Sequence, residues 1–335
     1  MYFADVIGHK TVKNNLINLV KTDKAGHAYI FTGPKGIGKY KTALSFASAL
    51  LCDEFENDSC GKCKNCNLSF GGAHPDLKAE DYSKDADGNE KASISFEAIR
   101  GFKTDVYLKP FYSKRKIYIL DNADKLTVEA QNALLKIFEE PPSYTTVILI
   151  CHNISKILPT IISRAVLIKF SALTPGELEI YLNKYYNETA NKDIHARIAN
   201  GSIASMIKNI EDETAIDFRN SVLQGASELF ISTQPTAFNT LFSVFMKNKD
   251  RRYEINEYLS VFVLDCLFYK AGLNNRIVNT DKLSEIGKIV RELKLDEIRN
   301  IESILISLTK RFAENANYKL AVLDALIRIR EEIHG

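Results

Sequence analysis

Short apolar runs alternate with amphipathic segments along residues 1–170. Residues 27–33 (HAYIFTG), 116–120 (KIYIL) and 145–151 (TTVILIC) are rich in β-branched and aromatic side chains, as buried strands are. Between them, YKTALSFASALL and TVEAQNALLKIFEE carry apolar side chains at helical spacing. A short helical segment, PTIISR, precedes a fourth strand, AVLIKF. Strands that alternate with helices predict a parallel sheet, so we expect an α/β domain over residues 1–170.

The pattern becomes wholly helical after residue 170. The segment TPGELEIYLNKYY has Thr174 as its candidate N-cap and Pro175 at the first helical position. It opens a small helical section that we expect over residues 171–212. Long amphipathic segments follow, such as EINEYLSVFVLDCLFYKA and NYKLAVLDALIRIREEI, and they predict an all-helical domain with its own core over residues 213–335.

Composition narrows the class of protein only slightly. Of the 335 residues, 45% are hydrophobic and 26% are charged, as in ordinary globular proteins. A net charge of +2 argues against a chain whose whole surface binds nucleic acid. The first residues, MYFADVIGHK, lack the charged head and apolar core of a secretion signal. We therefore expect a cytoplasmic protein without a membrane segment.

A glycine-rich loop, GPKGIGKY, lies between the first predicted strand and the helix after it. This context is the one that makes a G-x-x-x-x-G-K match credible as a phosphate-binding loop. The motif calls for Ser or Thr as the magnesium ligand after the lysine, but Tyr40 stands there. Thr42 lies on another helix face and is a poor substitute. The candidate phosphate-binding residues are Gly33, Gly36, Gly38 and Lys39; whether ATP or ADP binds to them stays open.

Four cysteines follow the loop helix with the spacing C-x7-C-x2-C-x2-C. They are Cys52, Cys60, Cys63 and Cys66. Four thiolates this close in sequence can enclose one Zn²⁺, so we expect a structural zinc module over residues 52–66. The alternatives are disulfides, which a reducing compartment disfavours, and an iron-sulfur cluster, whose usual downstream Cys-Pro is missing. Cys151 and Cys266 lie in apolar runs and are expected to be buried core thiols.

The chain resembles the clamp-loader subunits of bacterial DNA polymerase III, which belong to the AAA+ superfamily. In order, the matching stretches are VIGHKTVKNNL, HAYIFTGPKGIGK, the four-cysteine insert, HPDL, KIYILDNADKLTVEAQNALLKIFEEPP, PTIISRA and ENANYKLAVLDAL. The resemblance implies an AAA+ P-loop domain with a zinc insert, a helical lid and a C-terminal helical collar that mediates oligomerisation. The family includes ATP-hydrolysing members of the tau/gamma type and stator members of the delta-prime type.

Two residues separate these types. Asp121 ends its strand where the resemblance implies a metal-orienting carboxylate, and active members follow it with a glutamate that polarises water. Here the next residue is Asn122, whose amide cannot accept a proton. Loss of a general base costs roughly 10²- to 10⁴-fold in rate. Together with Tyr40, this change favours a chain without ATPase activity of its own, although the sequence does not decide whether it is an enzyme.

Arg164, in SRA, matches the family's S-R-C signature, whose arginine reaches across a subunit boundary to the neighbour's ATP. Such a finger in trans is worth roughly 10³ to 10⁵ in the neighbour's kcat. The competing interpretation is that Arg164 only complements the C-terminal end of a short helix. The segment ANGSIASMI resembles the family's sensor-2 stretch but lacks its arginine, and Ser202 is a helix cap there. Asn153 is a candidate for the sensor-1 position.

The resemblance therefore implies a delta-prime-like stator that supports ATP-driven loading of the sliding clamp onto primed DNA. Its implied partners are tau/gamma and delta subunits, and through them the clamp and DNA. One alternative is an active tau/gamma-type ATPase, which Tyr40 and Asn122 disfavour. The other is a zinc-dependent nucleic-acid-binding module, which the near-neutral charge disfavours. His74 in HPDL is expected to be structural, because four thiolates already complete a zinc site.

Overall fold

The computed structural model describes residues 1–83, 91–212, 214–234, 236–314 and 317–334. Both ends of the predicted collar, residues 213 and 335, lie outside this part, as do Asn315 and Ala316 of the ENANYKLAVLDAL stretch. The chain forms two compact units, residues 1–192 with 199–205 and residues 193–198 with 206–335. Whether residues 171–212 act as a separate lid stays a prediction.

The first unit contains a five-stranded sheet in the order β2-β3-β4-β1-β5. The strands are β1 (Ala28–Thr32), β2 (Leu77–Glu80), β3 (Lys116–Leu120), β4 (Thr145–Cys151) and β5 (Val166–Lys169). Every strand pair is parallel, which confirms the predicted parallel sheet. Strand β2, at the sheet edge, is absent from the sequence prediction.

Helices cover both faces of this sheet. In chain order they are α1 (Lys10–Lys21), α2 (Lys39–Leu51), α3 (Lys64–Phe70), α4 (Phe96–Asp105), α5 (Val128–Glu139), α6 (Pro159–Ile162) and α7 (Pro175–Tyr185). Side chains alternate across β1, so Ile30 packs in one core with Leu134 of α5, while Phe31 packs in the other with Phe46 of α2. Burial on both faces explains why the central strands read as continuous apolar runs.

Helix α7 begins as the sequence predicts. Thr174 is its N-cap, Pro175 is the first helical residue, and the side chains of Thr174 and Glu177 form a capping box. Two short helices follow, α8 (Lys192–Ile198) and α9 (Ile203–Glu211). The start of α9 belongs to the first unit and returns the chain to the glycine-rich loop.

The second unit is all-helical, as predicted. Its long helices are α10 (Ala215–Ile231), α11 (Phe238–Lys247), α12 (Arg252–Lys270), α13 (Leu283–Glu292), α14 (Leu295–Ala313) and α15 (Tyr318–His334). They share one apolar core that includes Phe245, Phe262 and Cys266. Among the described residues, none of these helices combines the length and apolarity needed to cross a bilayer.

Candidate functional site

The glycine-rich loop joins the end of β1 to the start of α2 and depends on its glycines. Gly36 has φ of 75° and Gly38 has φ of 98°, a region that side chains other than glycine rarely adopt. At Gly36 an added Cβ would lie 2.4 Å from Ser202 Oγ and 2.6 Å from Ala204 Cβ. The backbone N–H of Ala204 also donates to the Gly36 carbonyl at 3.3 Å. The loop therefore has its predicted shape but packs closely against the start of α9.

The loop lysine is turned onto its own loop. Lys39 Nζ donates to the carbonyl oxygens of Gly33 at 2.6 Å and Pro34 at 2.5 Å, and it lies 3.1 Å from His152 Nδ1. Only 4% of the residue is exposed. Burial lowers the pKa of Lys39 to about 8, against the opposing effect of the Asp121 carboxylate. The ammonium is thus satisfied within the chain.

The position of the expected magnesium ligand faces acidic groups but offers only a phenol. Burial, followed by the carboxylates of Asp121 and Asp81, raises the pKa of Tyr40. The Tyr40 phenol is thus within electrostatic reach of these carboxylates. The hydroxyl of Thr42 is fully buried and donates to the Gly38 carbonyl at 2.9 Å. The Thr42 hydroxyl is thus occupied by the backbone at the start of α2.

Asp121 and Asn122 lie at the end of β3, facing the loop. Burial, and then the neighbouring Asp81 carboxylate, raises the pKa of Asp121. Asn122 has φ of 53° and donates its backbone N–H to Asp121 Oδ1 at 2.8 Å. Its side-chain amide donates to Asp81 Oδ1 at 3.1 Å and accepts from His152 Nε2 at 3.1 Å. The amide that replaces the family's glutamate is therefore part of a hydrogen-bonded network.

His152 is the residue that sequence reasoning missed. It follows β4 directly, and its ring reaches both Lys39 and Asn122. Asn153, the predicted sensor-1 candidate, is exposed and accepts hydrogen bonds from the backbone N–H and the hydroxyl of Ser155. The Asn153 side chain thus caps a short turn. Nothing in the sequence separates the two residues, because both come immediately after the strand.

The start of α9 carries no arginine and has a local structural role. The Ser202 hydroxyl accepts from the Ser205 backbone N–H at 3.2 Å, which confirms the predicted helix cap. The atoms nearest an added Cβ at Gly36 belong to Ser202 and Ala204. The stretch ANGSIASMI itself contains no charged residue.

Arg164 lies just after α6, away from the loop network. Its guanidinium donates to the Thr160 carbonyl at 2.9 Å and to the Ser163 hydroxyl at 3.2 Å, and it pairs with Glu139 Oε1 at 3.0 Å. The Arg164 side chain is 37% exposed and that of Glu139 is 48% exposed. A pair this exposed contributes little to stability, about 0–1 kcal/mol. The guanidinium can therefore leave Glu139 at small cost.

The four cysteines form a compact cluster. Their Sγ atoms all lie within 4.8 Å of one another, and those of Cys60 and Cys66 are 3.9 Å apart. Zn–S bonds of about 2.3 Å place tetrahedral ligands roughly 3.8 Å apart, so the cluster has the dimensions of a metal site. Backbone N–H groups of Cys60, Cys63 and Cys66 point at the sulfur atoms of Cys52, Cys60 and Cys63, at 3.3 to 3.4 Å. Such donors stabilise thiolates, the form that binds metal.

The cluster is anchored to its surroundings on two sides. Both carboxylate oxygens of Asp58 accept backbone N–H bonds at 3.0 Å, from Phe3 and Ala4. On the other side, His74 Nε2 lies 3.0 Å from the Asn65 side-chain oxygen, and His74 Nδ1 accepts from the Asp76 backbone N–H at 3.0 Å. Both ring nitrogens of His74 are thus occupied, in agreement with a structural role.

The charge state of the thiols follows from their surroundings. Backbone N–H groups of Lys62 and Cys63 lower the pKa of Cys60 to about 7. Burial instead raises the pKa of Cys66. Outside the cluster, Cys151 and Cys266 are 0% and 1% exposed, which confirms that they are core thiols. Among the described residues, the four clustered sulfurs are thus the group that could hold a metal ion.

The fold and these sites define a P-loop-type α/β domain with a four-cysteine insert, together with a helical C-terminal unit. The candidate nucleotide site keeps the glycine loop and the lysine, and it has Tyr40 and Asn122 where the resemblance implies a hydroxyl ligand and a glutamate.

Comparison with known proteins identifies the family. A family model described as DNA polymerase III, delta subunit, matches residues 8–174, and another, described as DNA polymerase III, delta subunit, C terminal, matches residues 215–331. The chain belongs to this DNA polymerase III clamp-loader family.

Two relatives from Bacillus subtilis agree with this assignment. DNA polymerase III subunit delta' of Bacillus subtilis (strain 168) is 26% identical over 328 residues, which cover 95% of this chain and 94% of that protein. DNA polymerase III subunit tau of the same strain is 29% identical over 295 residues, 81% of this chain but 50% of tau. A crystal structure of a gamma subunit-related protein from Thermotoga maritima covers 96% of this chain and 99% of its own, at a TM-score of 0.46 and 16% identity.

Proposed function

We propose that the chain is a delta-prime-type stator of the clamp loader, which supports ATP-driven loading of the sliding clamp onto primed DNA and donates Arg164 to a neighbouring ATPase subunit. The observation that carries this proposal is the contrast between two positions. Tyr40 and Asn122 remove the magnesium ligand and the base from the chain's own site. Arg164 keeps an exposed guanidinium whose ion pair with Glu139 is itself exposed and therefore weak.

The match to subunit delta' covers 94% of that protein, and the choice of this type over the tau/gamma type depends on Tyr40 and Asn122. Tyr40 cannot place the ion that bridges the outer phosphates, and Asn122 cannot take a proton from water. A subunit with these two changes holds the assembly together while its neighbours hydrolyse ATP. Its partners are then tau/gamma and delta subunits, with the clamp and DNA reached through the complex, and its place is the cytoplasm.

The helical second unit is the proposed collar that binds the partner subunits. Large apolar side chains remain exposed on its two C-terminal helices: Leu295, Ile306, Leu320 and Ile327. Ile306 is 50% exposed and Leu320 is 60% exposed. Apolar positions of this kind are what equivalent helices of other subunits would cover in an assembly.

The four cysteines are proposed to hold one structural Zn²⁺. Four thiolates complete a tetrahedral coordination shell, so no position is left open for water or substrate. The ion would cross-link the segment after α2 to the start of α3 and would have no catalytic role. Iron in freshly purified protein would contradict this assignment.

The test of the arginine finger uses an assembly with an ATP-competent tau-type partner. We expect Arg164→Ala to lower ATP turnover of the assembly by at least about 10³-fold per site that receives the finger. The matched control is Glu139→Ala, which removes the intrachain partner of the same guanidinium and is expected to keep turnover. If Arg164 only completes its helix end, both variants will keep wild-type turnover, and the proposed donation is wrong.

A further inference from the structure

The ammonium of the loop lysine has no donor left for a phosphate. A lysine ammonium has three N–H donors. Among the described residues, Lys39 has three acceptors: the carbonyl oxygens of Gly33 and Pro34, at 2.6 and 2.5 Å, and His152 Nδ1, at 3.1 Å. The two carbonyls belong to the loop itself, whereas His152 comes from the end of β4. Of the three acceptors, the imidazole is therefore the one that a side-chain substitution can remove.

The imidazole is itself oriented by the residue that replaces the family's glutamate. A neutral imidazole has one donor and one acceptor. With Nδ1 accepting from Lys39, Nε2 carries the proton and donates to Asn122 Oδ1 at 3.1 Å. The other end of the Asn122 amide donates to Asp81 Oδ1 at 3.1 Å. Lys39, His152, Asn122 and Asp81 thus form a continuous series of hydrogen bonds.

We propose that His152, oriented by Asn122, is a positioning residue that holds Lys39 against its own loop and thereby closes the nucleotide site. The proposal rests on the proposed function, in which this site performs no hydrolysis. It gives Asn122 a second role besides the loss of the base. A glutamate at position 122 could accept from His152 but could not donate to Asp81, so the chain of hydrogen bonds requires the amide.

The electrostatics of the site agree with this arrangement. Burial, and then the Lys39 ammonium, lowers the pKa of His152. The ring is therefore neutral around neutral pH, as an acceptor at Nδ1 must be. The His152 backbone N–H donates to Asp124 Oδ1 at 3.1 Å, which fixes the start of the turn from which the ring extends.

The test is calorimetric titration of the full chain with ADP, in EDTA so that the missing magnesium ligand has no influence. Removal of one acceptor of the ammonium by His152→Ala is expected to tighten ADP binding by about tenfold. His152→Gln, whose amide can still accept from Lys39 and donate to Asn122, is expected to bind as weakly as wild type. Lys39→Ala, added to His152→Ala, is expected to abolish the gain.

Three results would overturn the proposal: no tighter binding in His152→Ala, a gain of the same size in His152→Gln, or a gain that persists without Lys39. A measurement on the unaltered protein guards against misfolded variants. The ¹⁵N spectrum of the His152 ring is expected to show protonated Nε2 and unprotonated Nδ1 around neutral pH. The opposite tautomer would contradict the proposed hydrogen bond from Lys39 to His152 Nδ1. The Arg164→Ala assay measures ATP turnover by the neighbouring subunit, whereas this titration measures ADP binding by the chain itself. Failure of the proposed arginine finger is therefore distinguishable from failure of the role proposed for His152.

Discussion

The first unit contains two candidate ligand sites that differ in where their polar groups point. In the cysteine cluster, four sulfurs converge within 4.8 Å, and backbone N–H groups approach three of them. In the glycine-rich loop, Lys39 is bonded to its own loop and to His152, and Asn122 links His152 to Asp81. The cluster is arranged for a cation, whereas the loop site is closed by its own side chains.

This difference shows that a motif and a working site are separable. Four thiolates held at this spacing repel one another until a metal neutralises them, so the proposed zinc would be bound with a gain in free energy. Polar groups that satisfy one another have little to gain from a ligand. In the arrangement that we propose, the glycine loop is kept as a fold element, while residues outside the motif weaken its binding of nucleotide.

The largest effect is expected from loss of one cluster thiolate. Cys66→Ser removes a fully buried ligand, so we expect metal content to fall from one equivalent to none. The free energy of unfolding should fall by at least about 3 kcal/mol. Elemental analysis and urea unfolding measure the two quantities.

The matched control for this change is Cys266→Ala, which truncates a buried thiol in the second unit. It should cost about 1 kcal/mol and keep the metal. Equal metal content in Cys66→Ser and Cys266→Ala would contradict the assignment of the cluster.

A smaller effect is expected at Asp76, which anchors the segment beside the cluster. Its carboxylate is 1% exposed and accepts three backbone N–H bonds, from Phe111, Tyr112 and Ser113, at 2.5 to 2.8 Å. Asp76→Asn should lower the free energy of unfolding at neutral pH by about 2 kcal/mol, without loss of metal.

The pH dependence of this effect has a defined sign. Burial raises the pKa of Asp76, but the three N–H donors outweigh it and leave the pKa below its ordinary value. The stabilisation is therefore present above the unfolded-state pKa and is lost as pH falls through the folded-state pKa. Urea unfolding should show the two proteins converging in stability on acidification; a constant difference would count against the carboxylate.

The next effect concerns Tyr40, which stands where the metal ligand belongs. In the His152→Ala background we expect ADP to bind equally well with magnesium and with EDTA. Adding Tyr40→Ser should make binding about tenfold tighter with magnesium, since a short hydroxyl can ligate the ion. Calorimetric titration under both conditions measures this. Magnesium dependence while Tyr40 is still present would show that another residue ligates the ion.

The smallest effect is expected at Asn153, the neighbour of His152. Its side chain caps a short exposed turn through Ser155. Asn153→Ala should cost less than about 1 kcal/mol in the free energy of unfolding and should leave ADP binding unchanged. If Asn153→Ala changes ADP binding as much as His152→Ala does, the positioning role proposed for His152 is wrong.

The features that could be predicted from the sequence are those that a local pattern of residues determines, namely the central strands and the cysteine cluster. Strands at residues 116–120 and 145–151 have the predicted bounds, because uninterrupted apolar runs of that length fit only the middle of a parallel sheet. The cysteine set followed from spacing, because C-x2-C turns bring thiols together without help from distant residues. Edge strand β2 contains the charged residues Lys78 and Glu80 and so lacks the uninterrupted apolar run that identifies the central strands.

The closed state of the loop could not be predicted from the sequence. It depends on side chains from β4, β3 and the end of β2 that meet only in the folded unit. Tyr40 and Asn122 were recognised because they break a motif, whereas His152 breaks none. The structure alone places its ring between Lys39 and Asn122.

Native mass spectrometry of the freshly purified chain tests the contrast between the two sites most directly, because one spectrum reports metal and nucleotide together. We expect the spectrum to show the mass of the protein plus one zinc ion, with no nucleotide bound. A chain that carries ADP or ATP and no metal would contradict it.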